Sequence, residues 1–177
     1  MRTAGRIPPD IDFRAFAEEH LSYEAKMFAM ADRLLPLTGG DFELNVLLEA
    51  CVLHCRNLID FFYPTRVLPD DVIAADYAGD WDDRRPPISS TLEKARSRAH
   101  KELAHLTTGR KSGFDPAKPW DSRVISAEMK LVISAFIPLA DASKLPQGTV
   151  AELMTIGNIP TVQPVSLAVF GFPDLRS

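Results

Sequence analysis

Apolar side chains recur at intervals of three and four residues in four stretches of the chain, which is the spacing of amphipathic helices. The first stretch follows Asp10 or Asp12, either of which can cap a helix, and it stops before Pro36. The second stretch covers about residues 42–62 and has a wide apolar face. We therefore expect this second helix to lie at the centre of the fold.

Two further helices are predicted in the second half of the chain. The sequence STLE at 90–93 matches a capping box, and the helix that it starts runs to about Thr107. Asp121 or Ser122 caps a fourth helix, which Pro138 kinks or ends. Together these elements predict an all-α fold, a four- to five-helix bundle.

Two segments depart from the helical pattern. Residues 64–87 form a long, Asp-rich crossover between the second and third helices, which we expect to be either a functional loop or a solvated acidic connection. Residues 145–177 contain only three charged residues but four prolines. We expect them to form an extended apolar C-terminal segment that packs on the bundle domain, residues 1–144, or on a partner subunit.

The composition is that of a single globular domain. The chain has 177 residues, of which 46% are hydrophobic, and its formal net charge is −4. This charge argues against wholesale binding of nucleic-acid phosphates, although a local basic patch could still bind them. Lys and Arg outnumber acidic residues within 94–118, so this stretch either attracts a phosphate backbone or docks on the acidic crossover.

Cysteine usage and hydropathy predict a cytoplasmic protein. Cys51 and Cys55 lie one helical turn apart, where a disulfide would strain the helix, so we expect two reduced thiols. The N-terminus lacks the apolar run of a signal peptide, and no stretch is long and apolar enough to span a membrane. Because no HExxH, paired CxxC, phosphate loop or dinucleotide fingerprint is present, we expect neither a metal nor a cofactor.

A polar stripe interrupts the second helix. On a helical wheel, Asn45, Glu49, Arg56 and Asp60 fall within an arc of about 60°. One interpretation is a buried ion network that fixes the register of two helices, because a guanidinium between two carboxylates is satisfied. The other is a binding site formed by Glu49, Arg56 and Asp60, in which Arg56 grips an anion or the carboxylates hold a metal.

The third helix carries polar residues on both flanks of its core stripe. Arg98, Glu102 and His105 follow one flank, whereas Arg96 and His100 follow the other. The first group is the candidate catalytic set, since a His can act as acid or base and an Arg can stabilise a phosphorane during RNA cleavage. The alternative is an exposed flank with salt bridges one turn apart, such as Arg98–Glu102.

Three segments occur in a recognisable order: HCRNLIDFFY at 54–63, DDVIAADY at 70–77, and KELAHLTTGR at 101–110, followed by Trp120. They resemble a group of uncharacterised bacterial proteins with the pattern RNLxDFF, then AHLTxxR, then Trp. The resemblance covers roughly residues 42–125 and brings no known activity. Arg110, at the end of the third segment, joins the candidate binding residues.

More distantly, the layout resembles HEPN domains, which are compact helical bundles, often dimeric, and in many cases RNases with an Arg followed shortly by a His. Six residues separate Arg98 from His105, which matches that loose spacing, but Ala99 stands where a polar residue is usual. The other candidate start, Arg56-Asn57, has the polar follower but lacks the His.

The resemblance implies a bacterial HEPN-like protein, associated with RNA in stress or defence and acting as a homodimer or with a partner protein. Its site would gather Arg56, Arg98, Glu102 and His105. The alternative is a non-catalytic helical dimerisation or interaction module in which these residues are structural. A metal-dependent enzyme of the bundle interior is the third hypothesis. Whether the protein is an enzyme stays open at this stage.

Overall fold

The protein is a bundle of helices in the computed structural model, which describes residues 11–102 and 120–158 and contains no strand in either range. Helix α1 consists of three consecutive segments, and six further helices follow within these two ranges. Their bounds are Phe13–Phe16, the π-helical Ala17–Leu21 and Ser22–Leu34 for α1, Asp41–Phe62 for α2, Ala74–Tyr77 for α3, Trp81–Arg84 for α4, Ser90–Glu102 for α5, Ser122–Phe136 for α6 and Gln147–Leu153 for α7. The all-α class is confirmed, with more helices than the four or five expected.

Helix boundaries follow local sequence signals in most places. The side chain of Asp12 accepts a hydrogen bond from the backbone N–H of Ala15, and that of Asp121 accepts one from the N–H of Val124. Short 3-10 turns at Leu35–Leu37 and Ile137–Leu139 contain the two prolines that were expected to end α1 and α6. The predicted capping box at 90–93 is wrong by one residue, because the hydroxyl of Ser89 accepts from Leu92 N.

Helix α2 has two different halves. Its second half is central, as predicted, and buries Cys51, Val52, Cys55, Leu58, Ile59 and Phe62. None of residues 41–50 is buried, and the side chain of Phe42 is 76% exposed. The expectation of a central helix therefore applies to the second half of α2 only.

The end of α2 lies in an aromatic core. The rings of Phe61, Phe62, Tyr77, Trp81 and Phe136 contact one another with centroids 5.0–5.9 Å apart, mostly edge to face. The Tyr77 hydroxyl donates to the carbonyl of Phe13, which ties the start of α1 to this core. The crossover thus supplies core residues from α3 and α4 rather than a solvated loop.

The same crossover, together with Arg96 of α5, caps the carbonyl end of α2. The Phe62 carbonyl accepts from Trp81 Nε1 at 2.9 Å and from Arg85 Nη1 at 3.0 Å, and the Tyr63 carbonyl accepts from Arg96 Nη1 at 2.7 Å. The last carbonyls of a helix have no partner within the helix, so these donors satisfy groups that would otherwise be buried without one.

Two acids of the crossover form ion pairs within the crossover itself. Asp80 pairs with Arg84 at 3.0 Å and Asp82 with Arg85 at 3.2 Å, so these acids are neutralised by neighbours in the crossover itself. Residues 103–119, which hold much of the basic segment, lie outside the described residues.

The C-terminal segment differs from its prediction. Gln147–Leu153 is helical rather than extended, because Pro146 occupies the N-cap position, where a missing N–H costs nothing. Helix α7 packs on α1 through a hydrogen bond from the Ser22 hydroxyl to that of Thr149 and an ion pair between Lys26 and Glu152. Residues 159–177 lie outside the described residues. Across the two described ranges, no helix is long and apolar enough to cross a membrane.

We expect Arg96→Met to lower the free energy of unfolding by about 1–2 kcal/mol, because the Tyr63 carbonyl loses its charge-assisted hydrogen bond while the aliphatic stem is kept. Urea unfolding followed by far-UV circular dichroism measures this. Arg84→Met is the matched control, since it removes an exposed guanidinium and is expected to cost less than about 0.5 kcal/mol. Equal costs for the two variants would contradict the capping role of Arg96.

Candidate functional site

A polar cleft of about 300 Å³ lies where α2 ends and the crossover begins. Pro64 turns the chain away from α2, and the carboxylate of Asp71 accepts from Leu68 N at 2.6 Å, which fixes the opposite wall. The cleft is lined by Asn57, Asp60, Phe61, Pro64, Thr65, Arg66, Asp71, Val72 and Ile73. Its size and mixed lining suit a small polar ligand or one unit of a larger ligand.

Asp60 joins this cleft to the basic flank of α5. Arg56 Nε lies 3.4 Å from Asp60 Oδ2, with the two side chains 31% and 40% exposed. Burial raises the pKa of Asp60, whereas Arg56, Arg96 and His100 act in the opposite direction through their positive charge. We call Arg56, Asp60, Arg96 and His100 the Asp60 cluster.

The structure separates the two flanks of α5. Arg96 and His100 are one turn apart on the flank that faces the end of α2, and Arg96 is held there by its bond to the Tyr63 carbonyl. Arg98 is on the other flank, where its guanidinium carbon lies 4.1 Å from the ring centroid of Trp120. This distance is that of a close cation–π contact.

The remaining residues of the predicted catalytic and binding sets lie largely beyond the described region. The described part of helix α5 ends at the backbone of Glu102, and the side chain of Glu102 is not included. His105 and Arg110 lie outside the described residues. The catalytic group of Arg98, Glu102 and His105 therefore stays a prediction.

The predicted stripe on α2 is only partly an ion network. Arg56 pairs with Asp60, whereas Glu49 is exposed and takes part in none of the ion pairs found among the described residues. The pair is also partly open to solvent rather than buried. The expected arrangement of a guanidinium between two carboxylates thus does not form within the described part of the chain.

A polar group that the sequence did not predict joins α1 to α2 beside the cleft. The buried His54 donates from Nδ1 to Glu24 Oε2 at 2.8 Å, and the Asn57 amide donates to the same oxygen at 3.1 Å. The ring of Tyr23 packs edge-on against His54, with centroids 5.4 Å apart. The group fixes the orientation of Asn57, which lines the cleft.

The two thiols face a second buried polar group. Asp32 is 3% exposed, its Oδ2 accepts from the Ser126 hydroxyl at 2.6 Å, and its Oδ1 has no hydrogen-bond partner in the described part of the chain. Burial, with a smaller contribution from Asp32, raises the pKa of Cys51 to about 12 and also raises that of Cys55. Both cysteines are free, as predicted, and their protonated thiols are poor nucleophiles and poor metal ligands.

Metal binding finds no support in residues 11–102 and 120–158, where no three His, Cys, Asp or Glu side chains come together as potential ligands.

Comparison with known proteins gives no family model, curated protein or solved structure that matches the chain. The resemblance to HEPN domains stays a prediction.

The raised thiol pKa values predict a loss of stability at alkaline pH. A thiol with a folded pKa of about 12 and an ordinary pKa of 9.0 is stabilised below pH 9, and the protein loses that stabilisation as the pH rises towards 12. For Cys51 alone, the loss at pH 10 is about 1.4 kcal/mol. Urea unfolding at pH 7.5 and at pH 10 measures it.

Cys51→Ala is the control for this effect. The variant should be less stable than the wild type at pH 7.5 because of the small cavity, but its stability should fall less between the two pH values. Cys55 and the buried tyrosines contribute a residual fall of the same sign, since burial raises their pKa values as well. An unchanged pH dependence in Cys51→Ala would disprove the assignment.

Proposed function

We propose that this chain is a bacterial HEPN-like helical-bundle protein that associates with RNA through the Asp60 cluster and the adjoining cleft, in a stress or defence setting. The observation that carries the proposal is the partly exposed Arg56–Asp60 ion pair beside the cleft that Asp60 lines, with Arg96 and His100 near enough for their positive charges to act on the same carboxylate. Two guanidinium groups and an imidazole are the side chains that bind phosphate oxygens most readily.

The charges of this region favour a phosphate ligand. Arg56 and Arg96 outweigh the single carboxylate between them, and Arg66 adds a further guanidinium in the cleft. Asp71, the other carboxylate of the cleft, already accepts a backbone hydrogen bond. A net negative protein can bind RNA through such a local surplus of positive charge, although only at moderate salt.

Each residue of the cluster has a distinct role in this proposal. Arg56 donates to phosphate oxygens, while Asp60 orients its guanidinium. Arg96 is anchored on the Tyr63 carbonyl and contributes a fixed positive charge. His100, exposed on α5, donates a hydrogen bond to the sugar–phosphate backbone.

A second candidate function is a helical dimerisation or interaction module without catalysis. The specific observation in its favour is the exposed apolar surface on α2, where Phe42 is 76%, Val46 49% and Leu53 48% exposed. Several large apolar side chains exposed along one helix mark an interaction surface more often than an ordinary solvated one. The two candidates are compatible, because a homodimer could also bind RNA.

We expect Arg56→Gln to weaken binding of a fluorescently labelled single-stranded RNA about tenfold, because one charge-assisted contact with a phosphate is lost. The slope of log affinity against log salt should fall by about one. Fluorescence anisotropy at several salt concentrations measures both quantities.

Arg84→Gln is the matched control, since it removes an arginine that also pairs with a carboxylate one turn away, but outside the cluster. Its RNA affinity should stay within about twofold of the wild type. The proposal fails when the wild type does not bind RNA at low salt, or when both variants bind equally. Denaturing gels of the same mixtures, with Arg98→Ala and His105→Ala, test the predicted catalytic pair.

A further inference from the structure

The side of α2 that faces away from the core carries a regular stripe, whose first four members are exposed and whose last two, Arg56 and Asp60, are half-buried. Its residues are spaced alternately by four and three positions, which is the heptad spacing of helices that pack on another helix. The members of this α2 stripe are Phe42, Val46, Glu49, Leu53, Arg56 and Asp60. They span about 27 Å of helix.

The α2 stripe is not part of the chain's own core. On a helical wheel it lies roughly opposite the buried side chains of Cys51, Cys55 and Leu58. Its three apolar members are each about half exposed or more, at 76% for Phe42, 49% for Val46 and 48% for Leu53. A helix with apolar side chains on two opposite faces is typical of one that packs on two partners.

The charges of the α2 stripe are arranged symmetrically about Leu53. Glu49 lies four residues before it and Arg56 three residues after it, with opposite charges. When a second α2 crosses antiparallel at Leu53, Glu49 of each copy lies beside Arg56 of the other. A two-fold interface has this property, because one surface patch must complement itself.

The ion pairs within one chain are consistent with such a contact. Glu49 is exposed and is not among the paired acids of the described residues, whereas Arg56 contacts Asp60 from one side at 3.4 Å. A guanidinium can bind two carboxylates at once. The Glu49 of a second copy would therefore complete the arrangement of one Arg between two acids, which does not form among the described residues of one chain.

We propose that the α2 stripe is a homodimer interface, in which a second copy of this chain packs antiparallel through Leu53 and reciprocal Glu49–Arg56 pairs. The proposal deepens the dimerisation candidate above. It shares Arg56 with the proposed RNA contact, so self-association is measured in the absence of RNA. A contact between two helices over about 27 Å is small by the standards of stable interfaces, so we expect a dissociation constant on the order of micromolar.

Sedimentation equilibrium of the full chain over about 1–500 µM tests the proposal. The wild type should dimerise. Leu53→Glu should raise the dissociation constant at least tenfold, because it replaces an apolar contact at the centre of the interface with a charge. Leu131→Glu is the matched control, because Leu131 is a 66% exposed leucine on α6, and it should dimerise like the wild type. A wild type that is monomeric at every concentration would overturn the proposal, as would equal effects of the two variants.

Charge reversal tests the antiparallel orientation. Glu49→Arg and Arg56→Glu should each weaken self-association, because each homodimer then carries like charges at both pairs. An equimolar mixture of the two variants should regain wild-type association as a heterodimer, in which both pairs are again of opposite sign. Failure of the mixture to associate, with both variants folded by circular dichroism, would overturn the proposed register. If the α2 stripe binds an unrelated protein instead of a second copy, all these samples will be monomeric, which would overturn the proposal.

Discussion

The carbonyl end of α2 is the constraint on which the rest of the structure depends. The Phe62 and Tyr63 carbonyls point into the protein, where unpaired backbone groups are costly, and their donors come from 19 to 33 residues further along the chain. Trp81 and Arg85 can reach Phe62 only when the crossover folds back over the helix. Arg96 can reach Tyr63 only when α5 lies beside α2 with that flank inward.

This cap therefore determines the rotation of α5 and, with it, the composition of the candidate site. The core stripe of α5, which includes Leu92, Ala95 and Ala99, is compatible with either flank facing the end of α2. Because Arg96 is the donor to Tyr63, His100 one turn later also approaches Asp60, and Arg98 is directed towards Trp120. The helical wheel identified both flanks, but it could not decide between them without this contact.

Much of the fold could be predicted from the sequence, because the signals for helix ends are local. Asp12 and Asp121 cap helices with their own side chains, and Pro36 and Pro138 end them for reasons internal to the backbone. Helix α7 was missed because its prolines suggested an extended chain, although Pro146 precedes the helix rather than interrupting it. The carboxylate of Glu24 that holds His54 and Asn57 is 30 and 33 residues away from them, and nothing in the local pattern of α2 indicates such a partner.

The wide apolar face of α2 is a second feature whose environment the local sequence pattern does not predict. A wide apolar face predicts burial on all of its sides, but the chain buries only the side that carries Cys55 and Ile59 and only in the second half of the helix. Burial of Phe42, Val46 and Leu53 would be favourable by roughly 25 cal/mol for each Å² of apolar surface removed from water. In the described residues these side chains stay exposed. The described residues of one copy thus do not bury these three apolar side chains, whereas a second helix packed against them would.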